Sequence, residues 1–74
     1  MTAEEARAVL MEYLRDFNPD YPLPWVGNMI RETQEVFAFE ATMHKEGEDP
    51  RDDYGHWVVN KTTGDCLPDP ADLA

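Results

Sequence analysis

Between Ala6 and Phe17 the apolar residues Ala6, Val9, Leu10, Tyr13, Leu14 and Phe17 recur at three- and four-residue steps, with Glu4, Arg7, Glu12 and Arg15 on the other side. That period is helical, so the spacing predicts an amphipathic helix over about residues 2 to 17 with one face turned to a core. Thr2 and Glu5 stand at capping-box spacing, where each side chain satisfies a free backbone N–H at the helix start. Glu4 and Glu5 also suit the positive end of the helix dipole. Asn18-Pro19 stops the helix, because a proline ring disfavours helical geometry for the residue before it. Prolines 19, 22 and 24 then make residues 18 to 24 an extended connecting strap.

Gly27-Asn28 suggests a bend after Trp25-Val26, and Met29 to Glu32 a short strand. From Val36 to Met43 the period falls to two, which puts Phe37, Phe39, Ala41 and Met43 on one strand face where they can cover the helix stripe. Residues 45 to 53, KEGEDPRDD, contain no apolar side chain and hold both Gly47 and Pro50, so they read as a mobile charged loop. Tyr54 to Asn60 returns to strand character, Asn60 to Asp65 reads as a hairpin turn with Gly64 at a positive-φ position, and Cys66-Leu67 opens the partner strand. From 68 to 74 prolines break up a tail expected to lie loosely on the surface or fray. The simplest architecture is α+β: one N-terminal helix packed on a three- or four-stranded antiparallel sheet, with residues 1 to 74 forming a single small domain.

Size and charge narrow the function. A chain of 74 residues buries only about 60% of its unfolded surface, which leaves a thin core and makes an elaborate enzyme improbable. Two Trp, three Tyr and three Phe are nevertheless too many for a disordered acidic tail. Sixteen acids against six bases give a net charge of −10, which repels nucleic acid phosphates and anionic lipid and favours a basic protein surface as partner. No apolar run approaches the roughly 20 residues of a membrane span. The lone Cys66 cannot form an internal disulfide, and with no secretion signal evident the expected compartment is the cytoplasm.

The candidate chemistry is sparse. His44, His56, Cys66 and the loop carboxylates lack the paired spacing that holds zinc, and residues 46 to 53 lack the ligand alternation of a calcium loop. Cys66 with His56 has no orienting third group, and the chain contains no serine. No catalytic residue, metal or cofactor is therefore expected. Trp57, ahead of Val58-Val59, reads as core, whereas Trp25 is balanced between core and interface. The functional weight falls on Glu46, Glu48, Asp49, Asp52 and Asp53, five acids within eight residues. Asp65, Asp69 and Asp72 would add a second cluster if the last hairpin folds back. An acidic protrusion is steered to a basic cleft, with aromatic support from Tyr54 or Trp25; taken singly, each acid has the plainer role of keeping a small protein soluble.

The run Glu4-Glu5-Ala6-Arg7 in an opening helix, an Asn-Pro strap, a phenylalanine-rich strand and a closing Trp57-Val58-Val59-Asn60-Lys61-Thr62-Thr63-Gly64-Asp65 resembles the small bacterial immunity proteins with a YrhB-type domain. The resemblance implies a protein that binds and neutralises a cognate toxin and is not an enzyme. Joined to the charge, it leads to an expectation: the acidic loop enters the basic active-site cleft of a toxin acting on nucleic acid or nucleotides, as a monomer in a heterodimer. Two rivals are a phage-type acidic DNA mimic that blocks a nuclease or restriction system, and a small accessory subunit that binds through a sheet edge or the helix.

Overall fold

The Thr2 hydroxyl accepts from the Glu5 N–H at 3.2 Å and Glu5 Oε1 accepts from the Thr2 N–H at 2.9 Å, so the capping box forms as its spacing requires. The computed structural model describes residues 1 to 73, and their side chains as far as Ala71. Helix α1 (Ala3–Arg15) leads to strands β1 (Leu23–Glu32) and β2 (Val36–His44), a 3-10 turn η1 (Pro50–Asp52), strands β3 (Gly55–Asn60) and β4 (Cys66–Pro68), and a second 3-10 turn η2 (Pro70–Leu73). The four strands pair antiparallel in chain order, β1-β2-β3-β4. Helix α1 covers one face, packing Ala6, Leu10 and Leu14 against Phe37, Phe39, Ala41, Trp57, Val59 and Cys66. The α+β arrangement of a helix on an antiparallel sheet is thus the one the periodicities call for, with four strands.

Local departures have physical causes. The helix closes at Arg15 instead of residue 17, and the Phe17 N–H turns back to the Leu14 carbonyl at 3.3 Å ahead of Pro19. Its buried stripe is narrower than the six expected residues: Tyr13 and Phe17 remain exposed and lean on Trp57, with ring centroids 6.0 and 5.6 Å away. Arg7, assigned by spacing to the solvent side, is half-buried; its guanidinium donates to the Val26 carbonyl at 2.8 Å and lies 5.3 Å over the Phe39 ring. A long stem and a charged head let arginine border a core that a carboxylate could not.

The strap ends at residue 22, since Leu23 and Pro24 already belong to β1, an edge strand where proline is tolerated. Gly27-Asn28 does not interrupt that strand. Register shifts between Val26 and Met29 and between Met29 and Arg31 absorb the irregularity, as bulges do. The 45–53 loop is not wholly irregular either: Asp49 caps η1 by accepting from the Arg51 N–H at 3.0 Å, with Pro50 in the first turn. In the last hairpin Gly64 takes φ +78°, and Asn60 Oδ1 accepts from the N–H groups of Thr62 and Thr63 at 2.8 and 3.0 Å.

The tail differs most from expectation. Asp69 is 1% exposed. Its Oδ1 accepts from Arg31 Nη2 at 2.9 Å and from the Ala71 N–H at 3.0 Å, while its own N–H donates to the His56 carbonyl at 2.8 Å. Arg31 is in register with Ala38, on the sheet face away from α1, so this pair latches the tail over that second face, where Ala38 and Val58 are also buried. The loose reading of residues 68 to 74 is corrected as far as residue 73; Ala74 lies outside the described residues.

Two outcomes follow for stability. Thr2→Ala, which removes one half of the capping box, lowers the urea unfolding free energy by about 1 kcal/mol. The Arg31 hydrogen bond and, to a lesser extent, the Ala71 N–H hold the Asp69 carboxyl below the ordinary aspartate value, outweighing burial, which pushes the other way. A depressed folded value means that this contribution is full above the unfolded value of about 3.9 and disappears as pH falls through the folded one. Asp69→Asn therefore costs about 1–3 kcal/mol at pH 7, and the gap between variant and parent narrows in urea titrations carried below about pH 4. A gap that stayed constant down to pH 2 would show that the charge on Asp69 is not what the latch uses.

Candidate functional site

The alternation that sends Phe37, Phe39 and Ala41 to the helix sends Ala38, Glu40 and Thr42 to the opposite face. Glu40 stands there as the single charged residue between Val36 and Met43, in register with His56 on β3. The Asn28 N–H, freed by the irregular pairing of β1, donates to Glu40 Oε1 at 3.2 Å. Tyr54, just ahead of β3, borders the same hollow as Glu40. Interaction with the Tyr54 phenol first, and with the Asn28 N–H after it, holds Glu40 below the usual carboxylate range, and Glu40 in turn pushes the Tyr54 phenol up.

Trp25 completes the group. Its ring centroid is 5.6 Å from that of Tyr54, with the planes tilted by 49°, and Tyr54 continues to His56 at 6.2 Å. The indole folds back over Gly27 so closely that a Cβ there would lie 2.5 Å from its Cη2 atom. Glycine is required at that position for the ring to reach its place. Trp25, Gly27, Asn28, Glu40, Arg51 and Tyr54 border a shallow, open hollow of about 460 Å³.

A second hollow, of about 550 Å³, is bordered by Tyr21, His44, Glu48, Asp49, Asp52 and Asp53, among others. Turn η1 serves both, giving Pro50 and Asp52 to the acidic hollow and Arg51 to the aromatic one. The residues expected to bind a partner are therefore divided. Glu48, Asp49, Asp52 and Asp53 converge, Trp25 and Tyr54 converge beside Glu40, and Glu46 is exposed on the loop without bordering either hollow.

Their charges are not equivalent. Asp49 is committed internally: its two carboxylate oxygens accept from Arg51 Nε and Nη2, each at 3.1 Å, and this holds its pKa below the ordinary range. Glu48 accepts from the Lys45 N–H at 2.8 Å, which orients it without neutralising it. Among the described residues Glu46, Glu48, Asp52 and Asp53 take part in no ion pair. Asp69 does not add to the cluster, being buried and paired with Arg31; Asp65 is exposed, and the side chain of Asp72 lies outside the described ones.

Cys66 is buried, and burial followed by the charge of Asp65 pushes its thiol pKa up, the reverse of what a nucleophile needs. Among the described residues no group of three His, Cys, Asp or Glu side chains is placed to hold a metal ion, and no helix is long and apolar enough to cross a membrane. Sequence reasoning missed Glu40 and Asn28. The available signal was a lone carboxylate at an outward position of an otherwise apolar strand, but its partners come from β1 and the loop before β3, which periodicity does not bring together. Comparison with protein-family models, curated proteins and solved structures returned no match.

Proposed function

We propose that this chain is an immunity protein that binds a cognate toxin and neutralises it by setting the acidic loop into a basic active-site cleft, such as one that handles nucleic acid or nucleotides. The observation that carries this reading is the distribution of positive charge. Each of the six basic side chains already has an internal contact: Arg7 with Val26 and Phe39, Arg15 with Glu12, Arg31 with Asp69, Lys45 over the Tyr21 ring, Arg51 with Asp49 and Lys61 with Glu32. None of these ion pairs matches Glu46, Glu48, Asp52 or Asp53, so the negative field at the loop is left to steer a positive partner. The short η1 turn and its Asp49–Arg51 pair give those acids a defined base to project from.

The test uses a candidate toxin co-expressed with this chain. Glu46→Gln, Glu48→Gln, Asp52→Asn and Asp53→Asn are combined, while Asp49 is left in place because it caps η1. The combined variant binds with association slowed about tenfold or more at low salt, loses most of that difference at high salt, and protects co-expressing cells less well. Unchanged association would remove the loop from the interface, and protection by the parent chain against an unrelated nuclease would point to a general DNA mimic instead.

A further inference from the structure

The hollow formed by Trp25, Tyr54 and Glu40 has a recognition chemistry distinct from that of the loop acids. Tryptophan and tyrosine faces attract cations, tryptophan most strongly, and here they stand side by side, 5.6 Å between centroids. Glu40 adds an ionised acceptor that takes a hydrogen bond from the Asn28 N–H and stands in the same hollow as Tyr54. That bond uses one of the roughly four lone-pair positions of a carboxylate, which leaves room for further donors. Arg51 forms part of the wall, but its charge is matched by Asp49 through two hydrogen bonds before any ligand arrives. The volume of about 460 Å³ is ample for the end of one side chain.

We infer that this hollow receives an arginine side chain of the partner, its guanidinium plane stacked on Trp25 and its N–H groups donating to Glu40. A guanidinium is a planar fork that can lie flat on an aromatic face and donate from its edge to a carboxylate in two places, whereas a lysine ammonium is a compact and strongly hydrated point charge without that flat face. The inference rests on the proposed binding of a basic partner surface and supplies its anchor. The loop acids steer the encounter, and a desolvated aromatic site holds the complex, in keeping with the concentration of binding energy in Trp, Tyr and Arg contacts.

The first arm of the experiment uses a small probe in place of the toxin. The isotope-labelled full chain is titrated with Nα-acetyl-arginine methylamide and, as control, with the citrulline analogue, which has the same shape without the charge. The Trp25 indole N–H and the Gly27 and Asn28 amide signals move saturably with the arginine probe, and the citrulline probe binds at least about fivefold more weakly. Glu40→Gln, which keeps an acceptor at the same place, weakens the arginine probe by a similar factor. The Val59 amide, in the core, stays fixed in every variant and reports that the fold is intact.

Equal response to the two probes, or undiminished binding in Glu40→Gln and in Trp25→Leu, overturns the inference. The combined loop variant binds the arginine probe as the parent does. If the probe fails to bind while that variant still associates slowly with the toxin, the arginine site falls and the loop reading stands. If the probe binds as expected and the loop variant associates normally, the loop reading falls and the arginine site stands.

Discussion

Burial of Phe39 and its neighbours against the four-residue rhythm of Ala6, Leu10 and Leu14 is the contact on which the rest of this small structure depends. A domain of this size has no second core to fall back on. The chain concentrates its large apolar groups on the helix side of β2 and β3 and places Arg7 along the border, where the guanidinium closes over Phe39 and ties α1 to the edge strand β1. One cation thereby performs packing and orientation together. With the helix face settled in this way, the other face of the sheet is released from carrying the core and is free to hold polar groups.

That second face carries two carboxylates with different duties. Asp69 is buried and committed to Arg31 and the η2 backbone, which anchors the C-terminal segment. Glu40 accepts from the Asn28 N–H and remains open to the hollow beside Trp25. The two acids flank His56 of β3, Glu40 in register with it on β2 and Asp69 bonded to its carbonyl just beyond β4, yet one has become part of the framework and the other part of the surface. Burial decides between them: a carboxylate enclosed by protein needs a dedicated cation, whereas one at the rim is satisfied by neutral donors and water.

The features legible in the sequence were those whose physics is local. The Thr2–Glu5 cap, the alternation of β2 and the Asn60–Gly64 turn each depend on residues a few positions apart, and each formed where its spacing placed it. Trp57 was likewise recognisable as core from its place in a strand. Arg7, Asp69 and Trp25 were not legible in the same way, because their partners are separated by 19, 38 and 29 positions in the chain (Arg7 to Val26, Arg31 to Asp69, Trp25 to Tyr54). Gly27 shows the limit well. Its missing side chain was read as a bend, and the same property instead lets the Trp25 ring lie against the backbone within a continuing strand. The acid cluster was visible as composition, but the committed role of Asp49 appeared only with the η1 turn.

The division between steering and holding follows from how charge and apolar surface act at different ranges. A field from unpaired loop carboxylates extends over about a Debye length, roughly 8–10 Å at physiological salt, and speeds encounter without fixing a final geometry. An aromatic site acts only at contact, where water has been expelled, and so governs how long a complex persists. On this chain the two are placed on either side of one 3-10 turn, with Asp52 on the acidic side and Arg51 on the aromatic side. The Asp49–Arg51 pair that shapes the turn commits the Arg51 guanidinium to hydrogen bonds with Asp49. On the proposed reading, a surface built in this way selects a partner whose basic groups include one that projects far enough to enter the hollow, and a diffuse positive patch is attracted to it without being retained.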